Sequence, residues 1–568
     1  MSKMIRYRVT IGTLLVLFCV LILAIYGIPY HAQSDEASYT KKIDSFIQEE
    51  MQRNRIRGLA VGIVEDGEVV YLRGFGKADS ERQVTPQTPF IIGSMSKAFT
   101  ALAVLQLVES GYVDLDTPIK EYLQDFRLAN SNISQEITVR HLLNQTSGIP
   151  NVIGLLQCTG TGEKTIQEAV EELASVQPFD MPGDRFQYSN ANYTTLGMLI
   201  ETVSSQSYGE YVQENIFAPL EMRNSFTSQT EAESYGLSTG YQRLFGISVP
   251  TDLPYLQHAI PSGYIISSAE DITHFLIANL KDGKYKSVSV LSTDGIDELH
   301  KPVAQSGNEF YGMGWVIGYS GDEPILWHHG STPNYHSTML IEPEANRGIV
   351  VLTNVGLFQV WDLGVSKVIT EGIGSILRDQ TPPQYGFDIG TRYIITDVIV
   401  VLLTALMILY ACLIPRWLRK LREELPQTSF NVARRLILPI VIEVAWPIII
   451  LGTFPVLTNI PSWSFWLLYQ PDLGYWLISV ASLTLCKAVI RIWFAYPIIQ
   501  LILQRFTKIR LLIVSLAVII VFFILFMVVM FASINPATFV LELLIVSLLL
   551  EALVFPISFK LLRLTSQQ

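Results

Sequence analysis

Ile91-Ile92-Gly93-Ser94-Met95-Ser96-Lys97-Ala98-Phe99 is the stretch on which the reading of this 568-residue chain turns. On a helix, a serine three residues before a lysine lies one turn away on the same face. A lysine that has lost its charge can accept the hydroxyl proton, and the pair is then the Ser-x-x-Lys arrangement of serine acyl-transfer chemistry. The pattern is short, and roughly one chance match is expected at this length. Ser38-Tyr39-Thr40-Lys41 is such a match. It opens a polar stretch with Lys42, Asp44, Glu49 and Glu50, the pattern of a solvated helix start. Ser94 has different surroundings. Gly93 precedes it, and residues 98–108 are apolar nearly all round, which predicts a buried helix stopped by Gly111. A serine at the start of such a helix has free backbone N–H groups beside it.

Two further motifs follow in order, Tyr188-Ser189-Asn190 and His328-His329-Gly330. Ser-x-x-Lys, then Tyr-x-Asn, then His-x-Gly resembles the serine β-lactamase and penicillin-recognising family. The form is the one used by class C β-lactamases and related carboxypeptidases, esterases and peptidases. The run from His141 to Pro150 also resembles the family's segment between its first two motifs, and the resemblance spans about 45–374. It implies an α/β (α+β) domain in which N-terminal and C-terminal strands share one antiparallel sheet. A helical region lies between them, and the motifs sit in the groove where sheet and helices meet. It also implies roles. Ser94 is the nucleophile, and Lys97 and Tyr188 share general-base duty, with the choice between them open. Asn190 donates to the substrate's acyl side-chain amide or orders Lys97. The backbone N–H groups of Ser94 and Ser331 receive the oxyanion, and His328 and Gly330 line the sheet edge against the substrate. Tyr188 would act as a phenolate near neutral pH only beside cations.

One departure bears on the substrate. Many family members carry Lys-Thr-Gly as the third motif, where a fixed ammonium holds a carboxylate. His328 is mostly neutral near pH 7 and a weaker anchor, which argues against efficient β-lactam hydrolysis but not against acyl transfer. His329 receives no role. Adjacent strand residues point to opposite faces, so His328 and His329 are not expected to share a metal. His141 and His336 read as structural, and no metal or cofactor is expected.

The remaining residues give the layout. Residues 59–64 and 69–72 flank Asp66-Gly67, a hairpin signal. Short β-rich runs recur at 314–319, 325–328, 337–341 and 348–352. Of four cysteines, Cys19, Cys412 and Cys486 fall in apolar segments, so Cys158 has no partner for a disulfide in the polar part. The hydrophobic share is 49% and the mean hydropathy +0.34, which indicates a soluble part joined to membrane spans. A net charge of −11 argues against a nucleic-acid partner.

Lys3, Arg6 and Arg8 precede an apolar run long enough to span, and Tyr30-His31-Ala32 is a poor cleavage site, so an uncleaved anchor is expected. Beyond a linker, apolar segments lie at about 393–413, 434–457, 474–503, 511–532 and 537–560. The loops between them alternate: Arg416, Arg419, Lys420 and Arg422 on one side, an aromatic loop around 459–472 without lysine or arginine on the other. The rule that basic loops stay inside then gives a multi-pass membrane protein with both termini cytoplasmic, and the family resemblance implies a bacterial cell membrane. The expected domains are an anchor at 1–33, an extracytoplasmic hydrolase domain at 34–378, a linker at 379–390 and a transmembrane domain of about five helices at 391–568. This layout resembles FmtA-like membrane proteins and colibactin-maturing peptidases. Glu443, Lys487 and Glu551 fall inside apolar segments, each about 9–13 Å from the cytoplasmic side, and Lys487 is expected to face one or both glutamates.

The expected activity is a membrane-bound serine hydrolase forming a Ser94 acyl-enzyme on peptide or amide substrates, including those with D-residues. A D-Ala-D-Ala carboxypeptidase or weak β-lactamase acting on cell-wall peptides is the alternative enzyme. A membrane receptor acylated once, without turnover, is the alternative of another class.

Overall fold

A computed structural model describes residues 39–505 of the chain, apart from 160–161, 357–363, 384–388, 424–430, 432 and 458–462. The expected anchor at 1–33, the last two apolar segments and Glu551 lie outside the described residues. The chain divides into two compact units, Met1–Phe46 and Ile47–Gln568.

The second unit is built on one eight-stranded antiparallel sheet. Its strands are β1 (Gly58–Glu65), β2 (Glu68–Gly76), β3 (Ala304–Ser306), β4 (Glu309–Tyr311), β5 (Val316–Ser320), β6 (Glu323–Ser331), β7 (His336–Glu342) and β8 (Arg347–Thr353). Their spatial order is β2-β1-β8-β7-β6-β5-β4-β3. The hairpin signal has a physical basis. Asp66 and Gly67 both take positive φ, +53° and +83°, the backbone that a two-residue turn between right-twisted strands requires. β1 pairs with β8, Leu59 opposite Thr353, so strands nearly 300 residues apart lie side by side as the resemblance implied.

Helices cover both faces of the sheet's centre. The strand run is interrupted by α1 (Ser96–Glu109), α2 (Asn190–Ser204) and α3 (Ala269–Leu280), and is followed by α4 (Val365–Leu377). Gly62 and Gly348 look onto Thr273 and Leu276 of α3. Thr338 hydrogen-bonds Ser366 of α4, and its cross-strand partner is Val351, one residue out of phase with Val350, which sits opposite Gly62. Side chains alternate along a strand, so α3 and α4 lie on opposite faces. Burial on both sides explains why β7 is buried throughout and reads as a continuous run rather than an alternation.

α1 is buried all round from Ser96 to Leu105, in keeping with the mostly apolar run that follows Lys97. Gly111 takes φ +73° just beyond its end.

The polar part gives way to α5 (Ile389–Cys412), α6 (Ile414–Glu423), α7 (Leu438–Leu457), α8 (Trp463–Tyr469) and α9 (Pro471–Arg505). Three stretches among the described residues are long and apolar enough to cross a membrane: Gly390–Glu423, Arg435–Gly452 and Pro471–Gln500. They coincide with the first three expected segments. Lys487 Nζ lies 3.3 Å from the Glu443 carboxylate, and Arg491 Nη2 lies 2.8 Å from the same oxygen.

Candidate active site

Ser94 sits in a single 3-10 turn, Gly93–Met95, that feeds directly into α1. Ser96 Oγ donates to the Gly93 carbonyl at 2.7 Å and accepts from the Ile265 N–H at 3.1 Å, which pins the turn at both ends. Every residue from Ile91 to Thr100 except Ser94 is buried; Ser94 is half-exposed.

Lys97 follows one turn later and is completely buried. Its Nζ lies 3.0 Å from Ser94 Oγ, 2.7 Å from Asn190 Oδ1 and 2.5 Å from the Ser262 carbonyl. Burial, with no carboxylate beside it, pushes this amine down from 10.5 to about 7. The three contacts are not equivalent. The Ser262 carbonyl and Asn190 Oδ1 can only accept, so Lys97 donates to both. Ser94 Oγ is the one neighbour of the three that can also donate. When Lys97 is neutral, its lone pair therefore points at the Ser94 hydroxyl.

Asn190 is the first residue of α2, and its orientation is fixed from both sides. Oδ1 accepts from Lys97, while Nδ2 donates to Cys158 Sγ at 3.3 Å. The segment before it is held by Gln145, whose Oε1 accepts from Ser189 N–H and Asn192 Nδ2. The Tyr188 side chain lies near Ser94, and Lys97 Nζ stands 4.8 Å from the centre of its ring. Burial holds the Tyr188 phenol well above its ordinary value of 10. The phenol is thus the acid form at neutral pH, and Lys97 is the group of the two poised to accept a proton.

The third motif lies at the end of β6. β5 stops pairing with β6 at Trp327, whereas β7 continues as far as Ser331. Residues 328–331 are therefore left open on one side, and Gly330 and Ser331 approach the turn that carries Ser94. The approach is backbone on backbone. A Cβ on Gly93 would lie 2.4 Å from Ser331 N, and one on Gly330 would lie 1.8 Å from the Ile92 carbonyl oxygen. Gly93 also takes φ +56°. Only glycine fits either position, and together they bring the Ser331 N–H beside the turn that carries Ser94.

His328 is buried beneath this edge. Its Nδ1–H donates to the His329 carbonyl at 2.7 Å, which leaves Nε2 as the acceptor facing Tyr311 Oη at 3.3 Å. Burial and the nearby Lys97 lower His328 from 6.5 to about 3, so it is neutral across the physiological range. His329 points the other way, onto Thr338 and the Trp327 ring. His141 caps a short helix through Thr138 N–H, and His336 pairs with Ser366, as structural histidines do.

All seven residues singled out by sequence, Ser94, Lys97, Tyr188, Asn190, His328, Gly330 and Ser331, thus gather around one turn. Three participants were missed. Tyr311 of β4 packs edge-on against Tyr188 and His328 and belongs to no motif. Ser262 contributes a carbonyl, which leaves no side-chain signature. Cys158 had a signal, being the one cysteine of the polar part, but that signal was spent on disulfides.

Comparison with known proteins agrees with this geometry. The family model described as Beta-lactamase matches residues 43–358. Protein flp of Staphylococcus aureus (strain MW2) is 30% identical over 318 residues, which cover 56% of this chain and 63% of that protein. The chain thus matches less than two thirds of the length of the flp proteins. Penicillin-binding protein 4 of Amycolatopsis lactamdurans is 26% identical over 340 residues, covering 57% of this chain and 86% of that one. Among solved structures, the octameric penicillin-binding protein homologue from Pyrococcus abyssi superposes with a TM-score of 0.52 at 30% identity, covering 60% of this chain and 78% of its own. With the matched region enclosing all three motifs and more than half of the sequence, the chain belongs to the β-lactamase family.

Proposed function

We propose that the protein is a membrane-held serine hydrolase that forms an acyl-enzyme on Ser94 and acts on peptide or amide substrates. The observation that carries this reading is the Lys97 amine, buried without a counter-ion and with Ser94 as the one neighbour able to donate into its lone pair. In the first step Lys97 Nζ takes the Ser94 hydroxyl proton as Oγ bonds to the acyl carbon. The carbonyl oxygen becomes an oxyanion, received by the N–H groups of Ser94 and Ser331. Each such donor typically stabilises the transition state by about 3–4 kcal/mol. The proton on Lys97 then passes to the departing amine, directly or through the Tyr188 hydroxyl, as the C–N bond breaks. A water attacks the acyl-enzyme by the same route and restores Ser94.

The neutral His328 favours peptide or amide substrates over β-lactams, because it supplies no charge for a penicillin carboxylate. An extracytoplasmic catalytic domain is supported by α8 and the start of α9. Their residues Leu468 and Asp472 accept hydrogen bonds from Gln242 and the Phe245 N–H of the catalytic part. These contacts support placing the aromatic loop and the catalytic part on one side of the bilayer. The distribution of basic residues assigns that side to the exterior.

A fluorophosphonate probe tests the reading. Wild-type protein is labelled at Ser94, and Ser94→Ala is not, whereas Ser38→Ala labels normally. Undiminished labelling of Ser94→Ala would refute it. Turnover separates the enzyme from an acylated receptor: a hydrolase releases a peptide-derived acyl group and can be labelled again, and a receptor stays blocked. A panel of D-amino-acid peptides, esters and a chromogenic cephalosporin then ranks the substrates.

A further inference from the structure

The short helix α8 lies between two apolar helices, yet it reaches the catalytic part. Its last residue, Tyr469, lies beside Cys158, close enough for the two side chains to act on each other electrostatically. Phe465 is fully buried and stacks under the Tyr469 ring, 4.3 Å between centroids and 17° between planes, which holds the phenol in place. Two polar contacts fasten the segment to the hairpin Tyr241–Pro250: Gln242 Nε2 donates to the Leu468 carbonyl, and the Phe245 N–H donates to Asp472 at 3.3 Å. Trp463 Nε1 donates back to the Leu451 carbonyl at 2.9 Å, tying the same helix to α7.

Cys158 connects this docked helix to the chemistry. The thiol is buried, and burial raises it above its ordinary value of 9, so it is protonated at neutral pH. Asn190 Nδ2 donates to its sulfur, and Asn190 Oδ1 accepts from Lys97. An amide can offer its oxygen to Lys97 only while something on its other end accepts from nitrogen. Flipped by half a turn, Asn190 would present N–H groups to an amine that already donates elsewhere.

We propose that the membrane domain completes the active site: Tyr469 is a positioning residue that holds Cys158 against Asn190, and Asn190 thereby presents its oxygen to Lys97. The inference rests on the reading of Lys97 as the base for Ser94. It assigns the membrane helices a part in catalysis besides anchoring. Loss of the Tyr469 hydroxyl loosens the Asn190 amide, so the amine is misplaced in the transition state while substrate contacts are untouched.

The test uses the full-length chain in detergent micelles, with two readouts. The first is the rate of fluorophosphonate labelling at Ser94 as a function of pH. Tyr469→Phe should slow it by roughly fivefold and Cys158→Ala by about tenfold, the usual worth of one or two buried hydrogen bonds. Both should displace the acidic limb of the profile, whereas Cys158→Ser, which keeps an acceptor, should label within about twofold of wild type. Trp463→Phe, which disturbs α8 without touching Cys158, should leave the limb in place. The double variant Tyr469→Phe/Cys158→Ala should be no slower than Cys158→Ala alone. The second readout is alkylation of Cys158 by N-ethylmaleimide, followed by peptide mass, which needs no catalysis. Tyr469→Ala should accelerate it by at least about tenfold, since removing the cover exposes a thiol. Wild-type labelling rates and limbs in Tyr469→Phe and Cys158→Ala, or unchanged Cys158 alkylation in Tyr469→Ala, would overturn the proposal. Absence of Ser94 labelling in the wild type would instead remove the underlying reading, and the alkylation experiment would still decide whether Tyr469 covers Cys158.

Discussion

Among the described residues, Lys97 and Lys487 both lie within helical surroundings, and their neighbours differ. Lys97 is fully enclosed, and the groups around it are two carbonyl oxygens and a hydroxyl. Lys487, on α9, keeps 11% of its side chain exposed and lies 3.3 Å from a carboxylate, Glu443, which it shares with Arg491. Removing an ammonium from water without a counter-ion favours the neutral amine, whereas a carboxylate beside it favours the charge. On the proposed reading the first arrangement serves a base, whereas the second ties α9 to Glu443 of α7. An acidic side chain within reach and a lesser depth of burial both set Lys487 apart from Lys97.

The contrast can be broken most forcefully at Lys97. Lys97→Met should lower the rate of Ser94 acylation by about two to four orders of magnitude, the range for loss of a general base. Lys487→Leu should leave the rate per folded molecule unchanged, as measured by probe labelling of monodisperse protein. A comparable fall in both would mean that the second lysine also serves the chemistry.

Stability reverses the ranking. Glu443→Leu leaves two cations buried without a partner and should destabilise the helical part by about 3–5 kcal/mol. Thermal unfolding in detergent would show it as a large drop in Tm. Lys487→Leu should cost less, because Arg491 still holds Glu443 at 2.8 Å. Equal losses from the two single variants would show that Arg491 and Lys487 do not share the carboxylate.

A smaller effect sharpens the catalytic side. Tyr188→Phe should reduce acylation by about a hundredfold, within the range for proton-transfer groups. Combined with Lys97→Met it should add little, because the two groups move one proton. Stopped-flow or gel-based labelling of the single and double variants decides the point. A double variant showing the product of the two losses would assign Tyr188 an independent role.

How far the sequence showed these features depends on what each requires. The hairpin at Asp66-Gly67 and the buried helix after Ser94 are local, so spacing and residue type sufficed. The three motifs were legible because each carries its own side chains. Lys487 facing Glu443 followed from counting depth along two apolar segments, but Arg491, present in the same segment, was not placed as the second partner. The remaining site features depend on long-range approach. The contacts of Lys97 with Asn190 and the Ser262 carbonyl cross 93 and 165 residues, and one partner is backbone. The preference for Lys97 over Tyr188 as the proposed base rests on burial, which the motif does not encode. Tyr469 is 311 positions from Cys158, beyond an apolar helix pair, and nothing in its sequence marks it as part of the site.

The most direct measurement is the pH dependence of fluorophosphonate labelling at Ser94 in the wild-type chain, with the adduct located by peptide mass. Lys97, lowered to about 7, is protonated and idle below that pH and neutral above it. The labelling rate should therefore rise about tenfold per unit below pH 7 and level off above it, as the fraction of free base dictates. An adduct on another residue, or a rate still rising in step with hydroxide up to pH 10, the ordinary range of an exposed lysine, would contradict the account.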